Sequence, residues 1–285
     1  MVSELTTPGN TITREVRRVD GVAPPPRASR EPVVYLIATL VFLVSAGLTV
    51  WFCWSMAGGM DMPGGWTMSM MWMPMPGQTW LAVAGMFLLM WVAMMVAMML
   101  PSALPALVIY RRALHFRQDP HASLSTFLMA CGYFFVWAGV GVLAFAVGVA
   151  VAWATMRWSG ASRSVPVLSG IALIVCGLFQ FTPWKMSCLK HCRDPLCFVA
   201  SHLHGGPRGG WILGLHHGLF CAACCWGLML IQLVLGVMNI GVMALVAGVI
   251  ALEKLVPRAE WIVWLTGTAS IAAGLVFIGK SVLFR

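Results

Sequence analysis

Long apolar stretches, broken by short polar or glycine- and proline-bearing connections, dominate the chain from residue 33 onward. A helix needs about 20 predominantly apolar residues to cross a bilayer. Seven segments come near or exceed that length: Val33–Ala57, Thr79–Ile109, Leu124–Met156, Val165–Thr182, Trp211–Leu235, Val237–Leu252 and Trp261–Ile278. Pro101 and Pro105 are expected to kink or end the second. The sixth is short and could join the fifth as one bent unit around Gly236 and Asn239, which would leave six spans. The expected fold is an all-α, polytopic transmembrane helix bundle, with seven spans favoured and six as the alternative.

Composition agrees with this pattern. Of 285 residues, 60% are hydrophobic and 9% charged, whereas soluble domains carry roughly 25% charged residues. Mean hydropathy is +0.87. The net charge of +9 would suggest nucleic acid in a soluble protein. Here the basic residues flank apolar segments, and no nucleic-acid motif accompanies them, so their meaning is topological. Arg111, Arg112 and Arg117 follow the second segment, Lys185, Lys190, Arg193 and Arg208 the fourth, and Lys254 and Arg258 the sixth. The intervening connections are poorer, with Arg157 and Arg163 in one of them. The positive-inside rule then places the N-terminus in the cytoplasm of a multi-pass bacterial inner-membrane protein and favours seven spans. Residues 1–31, with Arg14, Arg17, Arg18, Arg27, Arg30 and a proline run at 24–26, lack the apolar core of a signal peptide. They read as a disordered basic cytoplasmic tail ahead of a transmembrane domain at 32–285.

On this topology residues 58–78, GGMDMPGGWTMSMMWMPMPGQ, form a Met-rich periplasmic loop. It contains Met60, Met62, Met68, Met70, Met71, Met73 and Met75, and its Gly and Pro residues make it irregular. The following span carries Met86, Met90, Met94, Met95, Met98 and Met99. Met94/Met98 and Met95/Met99 sit at i, i+4, where side chains stack along a helix. Thioethers coordinate Cu(I) but attract Zn(II) or Mg(II) poorly. The competing reading is that Met is a flexible apolar filler.

The nine cysteines cluster, with six between Cys188 and Cys225. On the fifth span His216, His217, Cys221, Cys224 and Cys225 lie within ten residues. At about 100° per residue, His217, Cys221 and Cys224 share one arc, with Cys225 on its flank and Gln232 further along the same side. Ahead of them, in the Cys/His-rich loop 184–210 read as cytoplasmic, Cys188, His191 and Cys192 stand at i, i+3, i+4. Cys197 and His202 or His204 could complete four ligands. Thiolate and imidazole select soft ions, Cu(I) first, with zinc or iron also possible. Burial of cysteine as a small apolar residue is the alternative, and it is the expected role of Cys53, Cys131 and Cys176. Glu253 and Lys254, at the end of the sixth span, are expected to form an interfacial pair, with Lys254 snorkelling. Asn239 is expected to cap a helix or touch the fifth one, and Asp61 to help attract cations.

The motifs M-M-x-A-M-M-L-P-S (Met94–Ser102), T-P-x-K-x-x-C-L-x-x-C-R-x-P (Thr182–Pro195), G-x-x-H-G-x-x-C-x-x-C-C-W (Gly214–Trp226) and G-V-M-N…E-K (Gly236–Lys254) carry a resemblance. At these residues the chain resembles an uncharacterised bacterial family of predicted metal-binding integral membrane proteins, catalogued as domain of unknown function 2182. The resemblance covers residues 33–280 and implies a multispan fold with a metal site, but no settled activity.

No Walker P-loop, H-E-x-x-H, Rossmann fingerprint or G-x-S-x-G elbow is present, so an enzymatic role is not favoured. The expected function is binding of a soft transition metal, Cu(I) first, for transport or delivery across or within the membrane. The expected ligands are His217, Cys221, Cys224, Cys225, His216, Cys188, His191, Cys192, Met94, Met98, Met95 and Met99. Expected partners are the lipid bilayer, the metal ion and a periplasmic or cytoplasmic metallochaperone or membrane-complex subunit, not nucleic acid. The alternatives are a thiol-redox or cofactor-holding membrane enzyme, or an assembly subunit of a membrane metalloprotein complex.

Overall fold

In lipid, every backbone polar group must be satisfied within the protein, which leaves helices and closed barrels as the spanning elements. The apolar segments of this chain take the helical solution. The computed structural model describes residues 31–55, 58–74, 77–202, 205–256 and 260–283, so the expected N-terminal tail lies outside the described residues. The elements are α1 (Glu31–Ser55), β1 (Gly59–Met62), β2 (Trp66–Ser69), a 3-10 turn (Met70–Trp72), α2 (Trp80–Phe116), α3 (Ala122–Arg157), α4 (Ser159–Gln180), α5 (Pro183–Arg193), α6 (Pro195–Ser201), α7 (Gly206–Gly236), α8 (Ile240–Leu255) and α9 (Glu260–Leu283).

Among the described residues, six helices are long and apolar enough to cross a membrane: α1, α2, α3, α4, α7 and α9. The sixth predicted span, Val237–Leu252, corrects to α8, whose 16 residues rise only about 24 Å, short of the ~30 Å hydrocarbon core. It is a separate helix rather than the bent continuation of α7. Gly236 ends α7 at φ +115°, a conformation that suits glycine, and Asn239 Oδ1 caps α8 by accepting from Val242 N at 3.1 Å. Glycine contacts pair Gly177 of α4 with Gly267 of α9 and Gly170 with Gly274, in opposite order, so α9 runs antiparallel to α4, and Gly227 of α7 meets Cys176.

Pro101 and Pro105 do not end α2, which continues for 37 residues through both. Near the break in its backbone ladder, Ser102 Oγ donates to the Met99 carbonyl at 2.9 Å.

The bundle is drawn together by small residues. Gly210, Gly214 and Gly218 recur every fourth residue along α7. A Cβ on them would lie 2.2 Å from Ser125 O, 2.1 Å from Met129 O and 3.0 Å from Tyr133 O of α3. Only hydrogen at those positions lets the two backbones touch, the usual way membrane helices gain packing contact. The pairings run in register, so α3 and α7 are parallel. Trp91 of α2 donates to Trp137 O of α3 at 2.9 Å. With the short 117–121 connection between them, α2 runs antiparallel to α3, and hence to α7.

The loop at 58–78 is more ordered than expected. Gly59–Met62 and Trp66–Ser69 form an antiparallel hairpin with Met60 opposite Met68 and Met62 opposite Trp66. It docks on the start of α4, where Ser162 Oγ donates to Pro63 O at 2.7 Å and Trp66 Nε1 donates to Ser162 O at 3.0 Å. Met62 and Met68 are buried against Ala152, so these two thioethers serve as packing.

Candidate metal centre

The expected cytoplasmic loop 184–210 is mostly helix. Thr182 caps α5 by accepting from Lys185 N, Pro183 fills its first turn, and Asp194 caps α6 by accepting from Cys197 N at 3.0 Å. These capped turns hold α5 along the side of α7. At i and i+4, Cys188 and Cys192 both turn inward and are buried. Burial pushes the Cys188 thiol pKa up.

On α7, His217, Cys221, Cys224 and Cys225 are 4%, 0%, 1% and 1% exposed. They face protein rather than acyl chains. Cys192 Sγ lies 3.8 Å from Cys224 Sγ, and Cys224 Sγ lies 3.4 Å from Cys225 Sγ. Cys221 Sγ is approached from two further helices, by Tyr133 OH of α3 at 2.9 Å and Lys254 Nζ of α8 at 2.8 Å. His217 packs between Tyr133 and Phe198, with ring centroids at 5.3 Å to each. Its Nδ1 is buried with no hydrogen-bond partner among the described residues. An unpartnered buried ring nitrogen costs free energy unless something fills its lone pair or takes its proton.

Met94, Met95, Met98 and Met99 are each 3% exposed or less and belong to the same core as the thiols. Met94 Sδ accepts from Gln232 Nε2 at 3.2 Å, while Gln232 Oε1 is buried without a partner among the described residues. Gln232 lies seven residues beyond Cys225 on α7, about 10 Å along the helix axis.

Several expected ligands do not join this group. His216 is exposed and packs edge-on to His202 with centroids 5.6 Å apart. Neighbours on a helix differ by about 100°, so His216 and His217 cannot share a face. His191 is also exposed. It stacks flat on Phe220 at 4.6 Å, and its Nδ1 meets Ser187 O at 2.9 Å. Cys197 is exposed, so the four-ligand completion proposed for the loop is not formed by it. His202 packs against Phe198, and His204 lies outside the described residues. All nine cysteines are free thiols; Cys53 and Cys176 are buried, while Cys131 is half-buried. Among the described residues, no three His, Cys, Asp or Glu side chains already stand in a closed metal-binding arrangement.

The expected interfacial pair at Glu253–Lys254 is overturned. Both side chains are buried, 1% and 7% exposed, and they part company. Lys254 reaches Cys221, while Glu253 Oε2 receives Lys185 Nζ at 2.8 Å. Lys185 also donates to Gln180 Oε1, and Gln180 Nε2 reaches Glu253 Oε1 at 3.5 Å. This buried trio ties α4, α5 and α8 together beside the thiols. Buried charges survive only when paired and hydrogen-bonded. Tyr133, Lys254, Lys185 and Gln180 were not among the expected site residues. The cost of a charge at the end of an apolar stretch was the available signal for Lys254; Lys185, in a polar connection, carried none.

The family model for PpoB2, described as copper chaperone, matches residues 88–277, a stretch that includes all four sequence motifs. No curated protein and no solved structure matches the chain. The match supports the metal-related part of the resemblance drawn from the motifs and makes it copper-related. The chain thus belongs to the PpoB2 copper chaperone family.

Proposed function

We propose that this membrane protein binds Cu(I) among the buried sulfurs of α5 and α7 and hands it to a protein partner. The supporting observation is the convergence of Cys192, Cys224 and Cys225 within 3.8 Å steps, between two helices and out of contact with lipid. Cu(I) accepts as few as two soft donors, so the Cys192–Cys224 pair suffices without a closed cage. His217, with its unpartnered Nδ1, supplies a nitrogen donor on the same face of α7. Thiols shed protons on binding, so loading this site releases protons. In this reading the basic ends of the helices face the cytoplasm of a bacterial inner membrane, and a metallochaperone or membrane-complex subunit receives the ion.

A second reading, thiol redox, is favoured by one observation: the same Cys192–Cys224 separation suits disulfide formation after a small approach. Thiol counts under non-reducing conditions separate the two.

The test is anaerobic Cu(I) titration of purified protein against a chromophoric chelator. The Cys221→Ser/Cys224→Ser double variant is expected to lose the tight site, and His217→Gln to weaken it. His216→Gln and His191→Gln should leave it unchanged. Full Cu(I) binding by the double cysteine variant would sink the proposal.

A further inference from the structure

The 3-10 turn that follows the hairpin packs near the start of α2 and leaves a second sulfur-lined space. A cavity of about 230 Å³ lies between the end of α1, the 3-10 turn and α2, and four of its ten lining residues are thioethers, Met70, Met71, Met73 and Met86, from two separate stretches of chain. In a 3-10 turn residues three apart eclipse, which brings Met70 and Met73 onto one side. Met73 N donates to Met70 O at 3.4 Å. The turn is pinned in place because the Trp72 ring packs on Phe87 at 5.2 Å and fills the space above Gly148, where a Cβ would come within 2.2 Å. Met71 is buried and Met86 is 43% exposed, so the space is walled on one side and open on the other.

We propose that this cavity is a loading site for Cu(I), separate from the thiol cluster, with Met70, Met71, Met73 and Met86 as its donors. The proposal rests on the Cu(I) reading above. Neutral thioethers take a monovalent soft ion without losing a proton and hold Zn(II) poorly. The site also has an onward route. Met86 heads a series with Met90, Met94 and Met98 at every fourth residue of α2, a step of about 6 Å. The last three are buried, and Met94 meets Gln232 of α7. Since α2 runs antiparallel to α7, Met98 lies one turn nearer than Met94 to the level of Cys225. Weak sites in series let an ion enter and leave, whereas one tight site would trap it.

The experiment is anaerobic Cu(I) titration of the full chain in detergent at several pH values, using three proteins. They are wild type, M70L/M71L/M73L/M86L, and C192S/C221S/C224S/C225S. Wild type should bind one Cu(I) more than the leucine variant. The cysteine variant should keep that one ion, with no change in affinity between pH 6 and 8 and no competition from Zn(II). Met86→Leu alone, on the helix rather than the turn, should weaken the same ion and guard against misfolding of the hairpin. If the leucine variant and Met86→Leu both bind as wild type does while the cysteine variant loses all copper, the loading site is wrong and the thiol site stands. If wild type binds no Cu(I), both proposals fall.

Discussion

Cys192 Sγ on α5 lies 3.8 Å from Cys224 Sγ on α7, so the sulfur cluster is shared between an eleven-residue helix and one of membrane length. Cys197, five residues on, is exposed. Cys192→Ser should therefore weaken Cu(I) binding by roughly 10–100-fold or more, the scale seen when a metal site loses supporting contacts. Cys197→Ser should leave it within error. Competition titration with a Cu(I) chelator measures both, and equal effects would show that loop cysteines act by number rather than by place.

The Lys185–Glu253 pair is almost fully buried, at 1% and 2% side-chain exposure. Removing one member strands the other charge, which costs about 3–5 kcal/mol, whereas replacing both by apolar residues is often neutral or better. Lys185→Met and Glu253→Leu should each lower the thermal unfolding midpoint in detergent. The double variant should recover most of the loss. A double variant as unstable as the sum of the singles would mean that the pair contributes nothing as a pair.

The helical fold was legible because lipid leaves few options and apolar run length reports span length directly. The sixth span was misjudged because Val237–Leu252 scores as apolar whether or not it is long enough. The arc of His217, Cys221 and Cys224 was legible from helical period alone. The same period sets His216 about 100° from His217, off that arc, whereas the outward turn of His191 was not legible, since residue type does not say which way a side chain turns. Tyr133 and Lys254 were hidden for a different reason. Their partner, Cys221, is 88 and 33 residues away, and no local pattern records such a meeting. The Met-rich hairpin defeated a composition argument: Gly and Pro signalled an irregular loop, yet they build a tight turn between two short strands.

Gly214 has no room for a methyl group, since its Cβ would sit 2.1 Å from Met129 O. Gly214→Ala should cost about 1–3 kcal/mol through overpacking, and Gly214→Leu more. Gly139, on α3 with nothing within 4 Å, is the control. Gly139→Ala should be neutral or stabilising by up to about 1 kcal/mol through helix propensity. Thermal unfolding in detergent distinguishes the two.

Asp119, outside the membrane-length helices, fastens the 117–121 connection to the start of α7. Its carboxylate accepts from Gly206 N at 2.9 Å and from His121 N at 2.8 Å. The backbone hydrogen bond from Gly206, then that from His121, holds the carboxyl pKa below the usual range. A depressed carboxyl pKa adds stability above the unfolded value, about 3.9, and this is lost as pH falls through the lower folded value. Amide exchange at Gly206 and His121 should thus be protected at neutral pH and accelerate, beyond its intrinsic pH trend, only below about pH 4. Asp119→Asn should abolish that step. A wild-type step near pH 6 would point to a different group.

With Gly210, Gly214 and Gly218 set backbone against backbone, α3 and α7 can neither slide nor roll past one another without atoms overlapping. Tyr133 and the three α7 sulfurs thus belong to one fixed jaw. The opposing jaw is α5, carrying Cys192 between two proline-led turns. On the proposed function, outward movement of α5 would separate Cys192 from Cys224 while leaving the α7 sulfurs where they are.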